Sequence, residues 1–198
     1  MQYRADVSDH LIHFIKGDTD DAAFAVLMRI LEEKQLCASN NLIKGGHAVV
    51  CFTESPLWLI GQTLVESHYR CRPFGVRVPK RWLFERGGRP VIYQEDGEYD
   101  DLPLTHRWRH VRYEPHADPP VDFSWEREWR IQRDIVPLDP VMTSVIVPNR
   151  DWDHHISQVW EYMQDRAVED YGQEMNAMLA ELSRETFPWT VTMIAVPP

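Results

Sequence analysis

The sequence is short of the residues from which several kinds of protein are built. It has three cysteines and no C-x-x-C pair, which argues against a disulfide scaffold or a zinc ribbon. No apolar run reaches the ~18 residues of a membrane span, and the first ten residues lack the apolar stretch of a secretory signal. Glycine is scarce and forms no phosphate-binding loop motif. These absences predict a reduced, cytoplasmic protein without a membrane partner.

An overall basic charge is also absent. The chain has 21 basic and 31 acidic residues, a formal net charge of −10, which argues against a general coat of nucleic-acid contacts. Residues 70–89 are the exception, with seven basic residues and one acidic residue. They are the candidate for an anion-binding surface, and a solvated charged face is the alternative. The seven are Arg70, Arg72, Arg77, Lys80, Arg81, Arg86 and Arg89.

What the sequence does contain is the apolar periodicity of an α+β fold. With 198 residues and 43% apolar content, one domain over residues 1–198 is expected. Its predicted parts are a core over 10–148, a helical extension over 153–185 and a closing strand over 190–196. The predicted strands cover residues 10–16, 48–53, 74–78, 90–93, 123–132, 144–148 and 190–196.

The predicted helices lie early and late in the chain. The first follows Asp20 or Asp21, either of which could cap it, and ends near Leu36. A second begins at Pro56. A long amphipathic helix over 153–182, or two helices broken near Gly172, lies toward the end of the chain. Residues 94–121 are polar and proline-rich, which predicts a long surface loop.

The segment WEREWR, residues 125–130, is the most informative for chemistry. On a strand, alternation would place Glu126, Glu128 and Arg130 on one face and the two flanking tryptophans on the other. Two carboxylates and a guanidinium beside aromatic walls can orient a polar ligand or stabilise a developing cation. The alternative is a surface ladder of salt bridges.

Two other segments carry polar groups at strand ends or within strands. In CFTESP, residues 51–56, Thr53 and Ser55 could bond a ligand, although capping of the following helix is the simpler role for Ser55. His13 lies within the first predicted strand, where a histidine satisfied inside the core is the alternative to a ligand-binding one. Spacing indicates no metal site.

The order His13-Phe14, then CFTESP, then Glu126-x-Glu128 resembles the ADP-ribosyltransferase superfamily, and within it the DarT-type branch. More narrowly, CFTESP, the RPFG at residues 72–75, the WLFERGGRPVIY at 82–93 and WEREWRI are similar to abortive-infection phage-defence proteins of the AbiGi type. The resemblance covers residues 10–148. It implies a split, mixed and antiparallel sheet with helices, and NAD as the substrate.

The resemblance also implies roles for individual residues. Glu128 would stabilise the oxocarbenium-like centre formed when nicotinamide leaves, and Glu126 would position the acceptor. His13, with Phe14 beside it, would bind the adenosine ribose, while Thr53 and Ser55 would support the ribose or the glutamate. Nicotinamide would stack on an aromatic ring, and an arginine would pair with the diphosphate. The candidates for these last two roles are Phe52, Phe74 and Tyr69, and Arg72 and Arg77.

Three functions follow from this pattern. The leading expectation is a toxin-type or phage-defence ADP-ribosyltransferase that modifies a nucleic acid or a protein. The second is an NAD glycohydrolase, in which water replaces the acceptor. The third is an inactive module that senses a ligand or binds an antitoxin or another partner protein. Convergence of His13, Thr53 and Glu128 on one cleft would separate the transferase from the module.

Overall fold

The described residues form a mixed α+β arrangement of eleven strands, with helices early and late in the chain. A computed structural model describes residues 7–60, 71–174 and 177–194. The strands are β1 (His10–Lys16), β2 (Gln35–Cys37), β3 (Val50–Thr53), β4 (Cys71–Pro79), β5 (Arg89–Pro90), β6 (Ile92–Gln94), β7 (His110–Arg112), β8 (Glu128–Ile131), β9 (Ile135–Pro137), β10 (Ser144–Val147) and β11 (Thr190–Met193). The helices are α1 (Asp20–Glu33), α2 (Lys80–Glu85), α3 (Arg150–Glu174) and α4 (Ala177–Leu182).

Seven strands form one sheet in the order β11-β10-β4-β1-β3-β8-β5. The neighbours pair antiparallel except β10 and β11, which are parallel and are joined through the C-terminal helices. Two small pairs stand beside it, β2 with β9 and β6 with β7. The sheet is therefore mixed, in agreement with the predicted class.

The sheet has two different sides because successive side chains of a strand alternate. One side, here the core face, carries Leu11, Phe52 and Val76 and packs against α1 and α3 in the main hydrophobic cluster. The other side, here the Glu128 face, carries Ile12 and Ile146, which cluster with Ile60 and Ile194. Both sides are partly apolar, so the apolar pattern of a strand does not reveal which of them a residue faces.

The first helix begins one residue earlier than its predicted caps allow. Thr19 is extended, and its hydroxyl accepts a hydrogen bond of 3.1 Å from the Ala22 N–H, so Thr19 is the N-cap. Asp20 and Asp21 occupy the first turn instead, where a negative charge suits the helix dipole. The helix ends at Glu33, because Lys34 adopts the left-handed conformation (φ 50°). The predicted end near Leu36 is wrong.

The predicted helical extension packs on the main core. Asn149 caps α3 by accepting hydrogen bonds from the N–H groups of Asp151 and Trp152. Ile156 and Trp160 of α3 belong to the same buried cluster as the sheet. α3 continues through Gly172 to Glu174 and α4 begins at Ala177. The choice between one long helix and two depends on residues 175–176, which lie outside the described residues.

Residues 94–121 are more ordered than the predicted loop. They contain 3₁₀ turns at Asp96–Asp101 and Arg107–Arg109, and strand β7, which pairs with β6. Tyr99, Trp108 and His110 are buried there. The acidic and proline-rich composition of the segment predicts a loop, and these few buried side chains are too sparse to form an apolar pattern.

The helix after Pro56 is described over residues 57–60, where the N–H groups of Leu59 and Ile60 both donate to the Pro56 carbonyl. Its predicted continuation, Tyr69 and Arg70 lie outside the described residues. No helix in the described ranges is both long and apolar enough to cross a membrane.

Candidate functional site

The segment that carries the two glutamates is a turn followed by a strand, not one continuous strand. Residues Ser124–Glu126 form a 3₁₀ turn, and Arg127 adopts a left-handed conformation at φ 45° before β8 begins at Glu128. The alternation of side chains between the two faces therefore applies only from Glu128 onward and does not include Glu126. The prediction that Glu126 shares a strand face with Glu128 is wrong, whereas the predicted shared face of Glu128 and Arg130 is confirmed by their direct contact.

The polar residues of CFTESP hold this turn in place. The Thr53 hydroxyl donates to the Glu126 carbonyl at 2.5 Å, and the buried Ser55 hydroxyl donates to the Trp125 carbonyl at 2.9 Å. The Glu54 N–H adds a third bond to the Arg127 carbonyl at 3.2 Å. The Ser55 hydroxyl therefore holds this turn in place. The alternative role, capping of the next helix, is not the contact that it makes among the described residues.

Glu128 is held by Arg130 in a bidentate ion pair. The Nε atom of Arg130 lies 2.8 Å from Oε1 of Glu128, and a terminal nitrogen lies 3.2 Å from Oε2. The same guanidinium donates to the carbonyls of Trp108 and His110 at 3.0 and 2.9 Å. Although burial opposes the charge, Glu128 raises the pKa of Arg130 on balance. The carboxylate is consequently fixed in one orientation and is charge-balanced.

Two further side chains complete what is here called the Glu128 cluster: Cys51, Tyr93, Glu128 and Arg130. The Tyr93 hydroxyl accepts a hydrogen bond from the Glu128 N–H at 3.2 Å and donates one to the Phe123 carbonyl at 3.3 Å. Burial raises the pKa of Tyr93 to about 12. Burial, followed by the charge of Glu128, also raises the pKa of the Cys51 thiol. Both groups stay protonated at neutral pH, so neither supplies a nucleophile.

The strand register extends this site into a row across the Glu128 face. Thr53 is opposite Glu128, Ile12 is opposite Thr53, and Arg77 is opposite Ile12. Three strand spacings of ~4.8 Å separate Arg77 from Glu128, or about 14 Å between backbones. One end of the row therefore carries a fixed carboxylate and the other a guanidinium.

His13, Phe52 and Phe74 do not join this row, because they lie on the core face. His13 is opposite Val76, its ring meets Phe52 edge to face at 5.8 Å, and its Nδ1 is 2.8 Å from the Cys51 carbonyl. Burial lowers the pKa of His13, which favours the neutral ring. The expected convergence of His13 with Thr53 and Glu128 is therefore not found.

The aromatic candidates are divided in the same way. Phe74 is fully buried between Phe24 and Trp152, and Phe52 is 2% exposed within the core. Neither ring can stack on a nicotinamide. Phe14 is the aromatic candidate on the Glu128 face, where it is half-buried beside the small apolar cluster.

The two predicted diphosphate ligands also differ. Arg72 donates to the carbonyls of Gly17 and Asp18 and lies 3.4 Å from Asp20, so it fastens the turn between β1 and α1. Arg77 donates to Nδ1 of His10 at 3.1 Å, and burial lowers the pKa of Arg77. Arg77 is the one of the two that lies in the row with Glu128.

The remaining described cations of residues 70–89 are engaged within the protein. Lys80 pairs with Glu54, which also accepts from the Trp129 indole, and Arg81 pairs with Glu85. The guanidinium groups of the other two stack on aromatic rings, Arg86 on Trp82 and Arg89 on Phe84. The described cations of the predicted basic surface therefore all have contacts within the protein, although Arg81 and Arg86 remain exposed to solvent.

Sequence reasoning missed Tyr93 and the anchoring of Arg130. Tyr93 comes to Glu128 because β6 follows the short edge strand β5, which pairs with β8. The two carbonyls that hold Arg130 come from residues 108 and 110, in the segment predicted to be a loop. No local pattern in the sequence marks either contact.

No protein-family model matches the chain, and searches among curated proteins and solved structures found no match. Within the described ranges, no group of three His, Cys, Asp or Glu side chains is arranged to hold a metal ion. The chemistry of the Glu128 cluster is the remaining guide to function.

Proposed function

We propose that the chain is an NAD-dependent ADP-ribosyltransferase with Glu128 as its catalytic carboxylate. The observation that carries the proposal is the buried, bidentate pairing of Glu128 with Arg130, in line with Thr53 and Arg77 on one sheet face. The fold proposed with it is the ADP-ribosyltransferase type of sheet. The resemblance in residues 10–148 favours a toxin-type or phage-defence role in the cytoplasm, where NAD is available.

The proposed chemistry needs a carboxylate that does not reorient during the reaction. Cleavage of the bond between ribose and nicotinamide develops positive charge on the sugar, and a fixed carboxylate beside it stabilises the transition state more than the ground state. Arg130 occupies one acceptor site on each oxygen of Glu128. Each carboxylate oxygen has a second lone pair, so a ribose hydroxyl can still bind.

The row across the sheet suggests how the rest of NAD would lie. Arg77 is the charged group suited to the diphosphate, with Thr53 and Ile12 between it and Glu128. Phe14 is the aromatic residue available to the nicotinamide or adenine ring. The ribose-binding role expected of His13 is not proposed again, since that side chain faces the core.

Glu126 is proposed to position the acceptor from the turn beside Glu128. The same turn region exposes Phe123 and Trp125 to 37% and 43%. Exposed aromatic rings beside a carboxylate suit the stacking of unpaired bases. A single-stranded nucleic acid is therefore the acceptor we favour over a protein.

The test is incubation of the purified protein with NAD and single-stranded nucleic acid, with release of nicotinamide as the readout. Glu128→Gln should reduce release by about 10²–10³-fold, while Glu32→Gln on the exposed side of α1 should leave it unchanged. Release that survives Glu128→Gln would contradict the assignment. Release without a labelled acceptor would identify a glycohydrolase.

A non-catalytic module that senses NAD or binds an antitoxin or other partner is the second candidate. Two observations favour it. His13 does not converge on one cleft with Thr53 and Glu128, which is the arrangement expected of the transferase, and Arg130 already neutralises Glu128, as a purely structural ion pair would. Calorimetry with NAD separates the two functions. Binding without nicotinamide release, across all acceptors supplied, would support the module.

A further inference from the structure

A pocket of about 250 Å³ opens beside β8, on the side of that strand away from Glu128. Ile131 lines it, and strand alternation directs Ile131 to the core face while Glu128 and Arg130 face the other way. Val136 and Leu138 supply more of its wall and are 1% and 5% exposed. The floor of the pocket is thus an apolar surface at the edge of the main core.

Two arginines stand at this pocket. The guanidinium carbon of Arg86 lies 4.1 Å from the centre of the Trp82 ring, and the group donates to the Trp82 carbonyl at 3.2 Å. Arg133 is exposed, and its side chain makes no hydrogen bond or ion pair with any residue in the described ranges. Its five N–H donors are therefore available to a ligand.

One acidic side chain, Asp139, also lines the pocket but is occupied in its own turn. Its Oδ1 accepts a hydrogen bond from the Val141 N–H at 2.9 Å. Its backbone carbonyl accepts hydrogen bonds from the N–H groups of Met142 and Thr143. Two guanidinium groups against one carboxylate leave the lining with one net positive charge. The electrostatic preference is for an anion.

The Trp82 side chain adds an unused donor. Trp82 lines the pocket, is 5% exposed, and its buried indole N–H has no acceptor among the described residues. Buried polar groups normally have a partner, and the exceptions are often explained by a bound water, ion or ligand. A ligand bound beside Trp82 would change the surroundings of this N–H.

We propose that this pocket binds a small organic anion, in which a carboxylate or phosphate group is attached to a flat apolar body. A dry cavity of about 150 Å³ accommodates one benzene molecule, so the pocket has room for one aromatic ring and an acid group. The acid group pairs with Arg133 and Arg86 at the rim, and the ring lies on Ile131, Val136 and Leu138. This site lies apart from the Glu128 row and does not depend on the proposed transferase activity.

Titration calorimetry with benzoate, phenyl phosphate and neutral benzamide tests the proposal on the full chain. Benzoate, phenyl phosphate or both should bind, and the tighter of the two identifies the acid group. Arg133→Gln should weaken binding at least about tenfold, and Arg86→Gln should act in the same direction. Arg166→Gln, on the exposed side of α3, should bind like the wild type. Arg133 is exposed and has no partner among the described residues, so this variant is expected to fold.

The Trp82 indole N–H resonance in an amide correlation NMR spectrum should shift on saturation, and Glu128→Gln should leave binding intact. Three results would overturn the proposal: no saturable binding of either anion, equal binding of benzamide, or the same affinity in Arg133→Gln as in Arg166→Gln. A shift confined to indole signals other than that of Trp82 would also overturn it, because the ligand would then occupy another place.

Discussion

At the scale of single residues, the decisive feature is the side of the sheet on which each polar group lies. Thr53 and Glu128 face one side, and His13 faces the other, although all three come from adjacent strands. A shift of one position along a strand exchanges the two sides. Glu128 and Arg130, two residues apart, therefore form an ion pair on one face. His13 instead packs against the ring of Phe52 on the core face.

His13 provides a prediction about stability and pH. Burial lowers the pKa of His13 from 6.5 in the folded chain. Below about pH 6.5 the unfolded chain gains a proton that the folded chain does not, so the free energy of unfolding decreases as pH falls. Urea unfolding at about pH 7.5 and about pH 5.5 measures this loss. His13→Gln should reduce the difference in the free energy of unfolding between the two pH values.

The control for this prediction is His106→Gln, because His106 is exposed. That variant should keep the full pH dependence of the wild type. His10 also has a lowered pKa, caused by burial and the charge of Arg77, and it retains its own share of the dependence in both variants. An unchanged pH difference in His13→Gln would contradict a lowered pKa of His13 in the folded chain.

At the scale of elements, β3 and the turn before β8 act as one unit. Thr53 and Ser55 donate to carbonyls 73 and 70 residues away in the sequence, and these bonds hold the left-handed Arg127 that ends the turn. A left-handed position is usually occupied by glycine, but here it is occupied by Arg127. Without that signal, the sequence of the turn resembles a continuous strand. The long-range hydrogen bonds, not local preference, determine its conformation.

Thr53→Val tests this coupling by removing the hydroxyl at nearly constant volume. The Thr53 oxygen donates to Glu126 and accepts from the Ser55 N–H at 3.1 Å, so valine loses two hydrogen bonds. We expect a loss of about 1–2 kcal/mol in the free energy of unfolding, measured in urea. Thr53→Ser keeps the hydroxyl and should recover most of it. Equal stability of the valine and serine variants would contradict the role given to this bond.

At the scale of the whole molecule, the sequence predicts the class of fold better than the site. The strands around β1, β3 and β10 and the early and late helices follow directly from apolar periodicity. The ordered segment over 94–121 and the turn at 124–127 do not, because Arg130 and Thr53 hold their backbone carbonyls from distant positions in the sequence. The site combines both kinds of contact. Glu128 and Arg130 are two residues apart on one strand, so alternation predicts that they meet. Tyr93 is 35 residues from Glu128, and no local pattern predicts its contact.

The C-terminal helix α3 gives the prediction that concerns the whole fold. Trp160 is 2% exposed, meets Phe187 edge to face at 5.6 Å, and donates from its indole to the Glu185 carbonyl at 3.0 Å. Trp160→Ala should lower the free energy of unfolding by about 3–5 kcal/mol. Tyr162→Ala, at a position 61% exposed on the same helix, should cost less than about 0.5 kcal/mol.

Far-ultraviolet and near-ultraviolet circular dichroism should report one shared transition, because α3 and the sheet belong to one core. Two separated transitions, or a Trp160→Ala variant as stable as the wild type, would instead mean that α3 folds as an independent extension.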